Sequence, residues 1–272
     1  MKITREKPNI GVPVIAGAVA VIAVIVAIAI GIIQGGSPGE SSCKSTIDKL
    51  KAMENADATE IENQIRDLQQ ADQDKAQKAI EDEIMADESD TLLNEVQIRQ
   101  TYQGTVIIGD SITNSIVEYG YLDRDVVVAQ LGLSVEYANE QIDTAIGLNP
   151  SVIFMAFGAN DLSLYFEDAE KFKQAYKVQT DKLKAALPDV PIYINCILPI
   201  LPSRIEIEPE LVYYPQYNEA LQQLCDEEGF TYIDTSFIAE SDPDVYEPDG
   251  EHVKGYFYPI WLTYMAEIAG IR

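Results

Sequence analysis

Five short apolar runs, separated by amphipathic segments, occupy the chain after residue 102. They are rich in β-branched and aromatic residues: Thr105–Ile108, Val126–Leu131, Val152–Phe157, Ile192–Ile197 and Thr231–Ile233. The segments between them are long enough for crossover helices, for example Asp168–Leu187 and Gln216–Glu228. This alternation predicts an α/β fold in which a parallel sheet is covered by helices on both faces. In such sheets a ligand binds beyond the carboxyl ends of the strands.

Polar motifs follow two of these runs at the point where each run ends. Gly109-Asp110-Ser111 follows the first run, and Gly158-Ala159-Asn160-Asp161 follows the third. A serine at a strand-to-helix turn is exposed to the crevice, where backbone N–H groups and the helix dipole can stabilise an oxyanion. The Asn160 amide is a suitable second donor, and Gly132 would let a backbone N–H approach a substrate closely. Taken singly, each motif also occurs as ordinary turn chemistry.

The chain has a single histidine, His252, which follows Asp249 by three residues. A serine hydroxyl becomes a good nucleophile only when a base removes its proton, and an imidazole needs a carboxylate to fix its tautomer. Any mechanism that pairs a serine with a histidine in this chain must therefore use His252. The three cysteines contain no Cys-x-x-Cys pair, so the sequence has no metal-ligand spacing.

Together and in this order, these blocks resemble the SGNH, or GDSL-type, family of esterases and acyltransferases. Ile112 stands where the family name has leucine, and Gly132 matches the family's glycine block loosely. The resemblance implies a flavodoxin-like three-layer α/β/α sandwich and an acyl-transfer site without metal or organic cofactor. By that resemblance the catalytic triad is Ser111, Asp249 and His252, and the oxyanion hole consists of the Ser111 and Gly132 N–H groups and the Asn160 side chain.

An uncharged N-terminal run, Gly11–Ile33, predicts a transmembrane helix. At about 1.5 Å per residue it spans about 34 Å, enough to cross a hydrocarbon core of about 30 Å. Lys2, Arg5 and Lys7 precede it, and the next charged residue is Glu40. The positive-inside rule therefore places the N-terminus in the cytoplasm and the rest of the chain outside. A cleaved signal peptide is the alternative, but the apolar region is long for one and no convincing cleavage site follows.

The predicted organisation has four parts. They are a cytoplasmic N-terminus (1–10), a transmembrane helix (11–33), a linker and acidic helical stalk (34–101) and a catalytic domain (102–272). Apolar residues in the stalk recur at helical spacing with polar residues between them. The stripe is thin, which leaves two interpretations: a solvated spacer or a segment through which the chain forms a homo-oligomer.

The net charge of −26 excludes nucleic acid as a partner, because the chain repels phosphate backbones. The expected substrate is an acylated carbohydrate or a small ester, with an acetyl group foremost. Transfer of the acyl group to a sugar hydroxyl by the same triad is one alternative, and a catalytically silent, membrane-tethered scaffold is another. Two features stay open: Arg204 could contact a carboxylate or be solvated, and Tyr256, Tyr258 and Trp261 could stack on a sugar or pack under the last helix.

Overall fold

The computed structural model describes residues 58–85 and 91–272. Of these described residues, 58–65 belong to one unit, and those from Arg66 onward form a second, compact unit. The predicted transmembrane helix at 11–33 lies outside the described residues. Within the two described stretches, no helix combines the length and the apolar character needed to cross a membrane.

A five-stranded sheet forms the centre of the compact unit. Its strands are β1 (Thr105–Gly109), β2 (Val127–Ala129), β3 (Val152–Ala156), β4 (Ile192–Asn195) and β5 (Thr231–Ile233). The order across the sheet is β2-β1-β3-β4-β5, and every neighbouring pair is parallel. This is the flavodoxin-like order, whose topological switch point lies between β1 and β3. The predicted α/β fold with a parallel sheet is confirmed.

Helices connect the strands and flank the sheet. The α-helices are α1 (Ala58–Met85), α2 (Glu95–Thr101), α3 (Ser111–Glu118), α4 (Asn139–Leu148), α5 (Ala159–Tyr165), α6 (Ala169–Ala186), α7 (Pro202–Ile205), α8 (Tyr214–Glu228), α9 (Ser236–Ser241) and α10 (Phe257–Ile268). Short 3₁₀ helices cover Val135–Tyr137, Pro209–Tyr213 and Pro243–Val245. Local signals set these bounds: α6 begins where the Asp168 side chain accepts a hydrogen bond from the Lys171 N–H.

Both faces of the sheet are buried. Successive side chains of a strand point to opposite faces, so Val106 and Ile108 of β1 lie in one core and Ile107 lies in the other. Helices α4, α6 and α8 supply the first core, whereas α2 and α10 supply the second. Two-sided burial explains why the strands read as nearly continuous apolar runs. The result is a three-layer α/β/α arrangement.

Part of the predicted stalk packs onto the sheet instead of extending into solvent. In α1, Gln77 Nε2 donates a hydrogen bond to the carbonyl of Tyr232 in the edge strand β5 (2.7 Å), and Ile84 is buried. In α2, Ile98 is fully buried. An edge strand presents unpaired carbonyl groups, and α1 satisfies one of them. The packed domain therefore begins before residue 102, because a few apolar residues within this charged segment face the core.

Candidate active site

Ser111 lies where β1 turns into α3. It is the first residue of α3, and the Asp110 side chain caps the helix by accepting a hydrogen bond from the Ile112 N–H (3.1 Å). The first N–H groups of a helix lack intrahelical partners and carry the positive end of its dipole. A half-buried hydroxyl at this position is thus next to donors that can stabilise a developing negative charge.

A chain of hydrogen bonds joins Ser111 to the histidine and its carboxylate. Ser111 Oγ lies 3.0 Å from His252 Nε2, and His252 Nδ1 lies 2.8 Å from Asp249 Oδ2. The other Asp249 oxygen, Oδ1, accepts hydrogen bonds from the N–H groups of Glu251 (3.0 Å) and His252 (2.9 Å). Burial opposes ionisation of Asp249, but these hydrogen bonds outweigh it and hold the pKa of Asp249 below its usual value. An ionised Asp249 keeps the proton of His252 on Nδ1 and leaves Nε2 free to accept the Ser111 proton.

Asn160 reaches the same place from β3. Gly158, two residues earlier, has φ 141°, and a Cβ there would lie 2.3 Å from the Ile197 side chain, so any other residue would be strained and would displace Ile197. Asn160 Nδ2 donates to Asp110 Oδ2 (3.3 Å) and to the Leu133 carbonyl (3.4 Å). These bonds orient the amide towards the N-terminus of α3. Adjacency of β1 and β3 brings the two motifs together, as their positions at strand ends predict.

One open cleft of about 390 Å³ gathers most of the predicted site residues. Its lining includes Ser111, Gly132, Asn160 and His252. Asp249 makes its contact with the cleft through His252. All five predicted residues are therefore part of one constellation.

The sequence matches the model of the GDSL-like lipase/acylhydrolase family over residues 107–259. The chain belongs to this family. The match extends from β1 into α10, so it includes every residue of the constellation. A search of curated proteins finds no match to the chain.

Solved structures of several bacterial proteins share the fold at low sequence identity. A GDSL-like lipase from Bacteroides thetaiotaomicron is 15% identical with a TM-score of 0.50, over 71% of this chain and 97% of that one. A protein described as a GDSL-like lipase from Parabacteroides merdae is 16% identical with a TM-score of 0.50, over 62% and 97%. A Streptococcus pneumonia structure named for platelet activating factor is 15% identical with a TM-score of 0.51, over 70% and 97%. At these identities the likeness concerns the fold alone.

Replacement of Asn160 by alanine is expected to lower kcat by about 10²–10³-fold, as loss of one oxyanion donor does in comparable sites. Steady-state kinetics with a small acetyl ester measures this, and a circular dichroism melt checks that the variant stays folded. An effect confined to KM would instead assign Asn160 to substrate binding.

Two buried carboxyl groups lie behind the site. Both oxygens of Asp161 accept from the Val135 N–H (3.0 and 3.2 Å), which ties the chain after Gly132 to α5. Burial, with smaller contributions from nearby carboxylates, raises the pKa of Asp161 to about 8. Burial also raises the pKa of Asp110 to about 7, and the charge of Glu251 adds to the shift. The sequence motif includes Asp161, but its partner is 26 residues away and no local signal indicates it.

Folding stability is expected to fall as the pH rises from about 5 to 8, partly because of Asp161. In the unfolded chain the pKa of this group is near its ordinary value of 3.8, whereas burial in the folded protein raises the pKa to about 8. The folded state therefore holds more protons between these values, and stability decreases with pH across that window. Asp161→Asn keeps an acceptor for the Val135 N–H but cannot ionise. Between pH 5 and pH 8 we expect its free energy of unfolding to fall by less than that of the wild type, and the difference should be at least about 1 kcal/mol.

Urea unfolding at pH 5 and pH 8 measures this difference. The matched control is Asp125→Asn, which changes an exposed aspartate in the same way and should keep the wild-type dependence. An Asp161→Asn variant whose stability follows pH as steeply as the wild type would show that Asp161 is not the group responsible.

The two open sequence questions have clear structural answers. Tyr258 and Trp261 are buried in the core, and Trp261 Nε1 donates to Asn195 Oδ1 (2.9 Å), so they pack under the sheet and do not face the cleft. Tyr256 is exposed, and its hydroxyl donates a hydrogen bond to Asp242 Oδ2. Arg204 does line the cleft, but it is ion-paired rather than solvated.

Proposed function

We propose that this member of the GDSL-like family is a serine esterase that removes a short acyl group, foremost acetyl, from a neutral carbohydrate or a small ester. The observation that carries the proposal is the hydrogen-bonded chain from Asp249 through His252 to Ser111 at the N-terminus of α3. This chain supplies a nucleophile, a base and an orienting carboxylate within hydrogen-bond reach of one another.

The proposed reaction has two halves. Ser111 Oγ attacks the ester carbonyl carbon while His252 Nε2 takes its proton, and the resulting oxyanion faces the N–H groups of Ser111 and Gly132 and the Asn160 amide. His252 then gives the proton to the leaving alcohol, which departs and leaves an acyl-serine. Water, deprotonated by His252, attacks this ester, and return of the proton to Ser111 Oγ releases the carboxylic acid. Asp249 stabilises the imidazolium in both halves.

The size of a small cavity next to the active-site cleft is our argument for a short acyl group. Asp110 and Ile112, the two neighbours of Ser111, line it together with Ala159 and the buried Trp261, whereas Ser111 itself does not, and its volume is about 30 Å³. A single water needs about 10–15 Å³ on the same measure, so a cavity of this size would hold a methyl-sized group but not a long acyl chain.

Charges around the cleft support a neutral alcohol portion. Glu208 and Glu251 both pair with the one guanidinium of Arg204, so two carboxylates face a single cation. The net charge of the whole chain has the same sign. Anionic substrates would be repelled on approach, whereas sugar hydroxyls can donate to the carboxylate oxygens.

Hydrolysis of 4-nitrophenyl acetate, butyrate and octanoate by the full chain in detergent tests the proposal. We expect kcat/KM to fall with chain length, and an acetylated neutral oligosaccharide to be cleaved in preference to an acetylated polyuronate. A parallel reaction with an unacetylated oligosaccharide measures transfer; a transferred acetyl group would assign the acyltransferase alternative. If folded protein, shown by a cooperative melt, hydrolysed none of these esters, the esterase assignment would be wrong and a catalytically silent scaffold would be favoured.

Membrane anchoring through residues 11–33, with the catalytic domain outside, is the second part of the proposal. Its support is the uncharged run preceded by Lys2, Arg5 and Lys7. We expect alkaline phosphatase fused after Arg272 to be active and β-galactosidase at the same point to be inactive, and extraction of the full chain to need detergent. A soluble product that begins near Gly39 would contradict the anchor and indicate a cleaved signal peptide.

A further inference from the structure

The loop that carries Asp249 and His252 lies at the surface. The Asp249 side chain is 46% exposed and that of His252 is 40% exposed. Burial therefore does not fix the position of the imidazole, although proton transfer requires Nε2 to stay within hydrogen-bond reach of Ser111 Oγ. Surface loops are ordinarily mobile, so contacts from elsewhere in the fold must hold this one.

The segment after β4, residues 199–208, contacts the loop at successive points. Three pairs make hydrogen bonds: the Tyr246 hydroxyl with the Pro199 carbonyl, the Leu201 N–H with the Gly250 carbonyl (3.1 Å), and Arg204 Nε with Glu251 Oε2 (3.0 Å). The last of these is an ion pair with the residue that immediately precedes His252.

Close packing accompanies these hydrogen bonds at Gly250. Its φ is +76°, and a Cβ there would lie 3.2 Å from the Arg204 Cβ and 3.3 Å from the Leu201 Cβ. The loop and α7 therefore touch backbone to side chain, and a small displacement of Arg204 is transmitted directly to the turn between Asp249 and His252.

Arg204 itself is held in one orientation. Its Nη2 donates to Glu208 Oε1 (2.8 Å), one turn further along the chain, while Nε donates to Glu251. The side chains of Arg204 and Glu251 are only 22% and 16% exposed, so water screens the pair less than an ordinary surface ion pair. Removal of the guanidinium would leave a shielded, uncompensated carboxylate beside His252, and the loop would have to move to hydrate it.

We propose that Arg204 is a positioning residue: through its ion pair with Glu251 it clamps the loop of Asp249 and His252 to the wall of the cleft and keeps the imidazole aligned with Ser111. The proposal rests on the proposed function, in which His252 is the base. Arg204 does not take part in proton transfer.

Four variants of the full chain test this positioning role of Arg204, which we call the clamp: Arg204→Met, Glu251→Gln, the double variant, and Glu247→Gln as the matched control. Glu247 lies on the same loop, but its carboxylate accepts from the Tyr119 hydroxyl and not from Arg204. With 4-nitrophenyl acetate, which carries no sugar hydroxyl for Glu251 to bind, we expect Arg204→Met and Glu251→Gln each to lower kcat by about tenfold with KM within about twofold. The double variant should lose no more kcat than the worse single variant, since both substitutions remove the same interaction. Glu247→Gln should have the kcat and KM of the wild type.

The single histidine gives a readout that does not depend on activity. Nitrogen-15 NMR of the imidazole, on protein purified without a histidine tag, should show one sharp Nδ1–H tautomer in the wild type and in Glu247→Gln. In Arg204→Met we expect broadened signals or a mixture of tautomers.

The two readouts separate the clamp from the proposed function. An Arg204→Met variant with the wild-type imidazole spectrum, or with a change in KM alone, would overturn the clamp while leaving the esterase intact. If the wild type hydrolysed no ester but Arg204→Met still changed the imidazole spectrum, the esterase assignment would be wrong. The proposal that Arg204 positions His252 would still hold.

Discussion

Ser111→Ala is expected to lower kcat by about 10⁶-fold while leaving the fold intact, the size of loss seen when a triad nucleophile is removed. The reason is geometric: Ser111 Oγ lies 3.0 Å from His252 Nε2 at the N-terminus of α3, and alanine is accommodated there without strain. Steady-state kinetics with an acetyl ester and a thermal melt measure the two parts of this prediction.

Ser115→Ala is the matched control, because Ser115 lies one turn further along α3 and its hydroxyl donates to the Ser111 carbonyl within the helix. It should keep kcat within about threefold of the wild type, as expected of a substitution away from the reacting groups. Activity of Ser111→Ala within tenfold of the wild type would exclude Ser111 as the nucleophile.

His252→Ala is expected to lower kcat about as much as Ser111→Ala does, because the two residues act as a unit in the proposed mechanism. The chain contains no second histidine that could replace it. Added imidazole should restore part of the activity, since the His252 side chain is 40% exposed and its removal opens a space that reaches solvent. Kinetics with and without imidazole provide the measurement.

Asp249→Asn gives the graded comparison. The substitution keeps the shape of the site but removes the charge that fixes the His252 tautomer, and we expect kcat to fall by up to about 10⁴-fold. Imidazole should not restore activity to this variant, because its histidine is still in place. Substantial activity in His252→Ala without imidazole would show that the Ser111–His252 pair is not the catalytic unit.

Local signals made most of the fold predictable. The five apolar runs correspond to the five strands, and Asp168–Leu187 contains α6 between its two capping residues. The largest strand error is at β2, predicted over Val126–Leu131 and observed over Val127–Ala129, because the chain leaves the sheet there and Leu131 lines the cleft. Strand ends of this kind depend on tertiary contacts, which the local pattern does not encode.

The candidate site also has features that the sequence predicts and features that depend on tertiary contacts. Ser111, Asn160 and the Asp249–His252 pair stand in short motifs at strand ends or on one turn, so sequence order and the parallel sheet suffice to bring them together. The ion pair of Arg204 with Glu251 joins residues 47 positions apart, and no spacing rule predicts it. The sequence does not predict the packing of α1 on β5 for the same reason, since Gln77 and its partner Tyr232 are 155 positions apart.

Labelling of the full chain with a biotinylated fluorophosphonate tests most directly whether Ser111 is an activated nucleophile. The reagent forms a covalent bond with a serine oxygen only when a neighbouring base has made that oxygen nucleophilic. We expect one label per chain on the peptide that contains Ser111, no label in Ser111→Ala, and strongly slowed labelling in His252→Ala. A label on a different residue, or an active esterase that takes up no label, would contradict the assignment of Ser111 and His252.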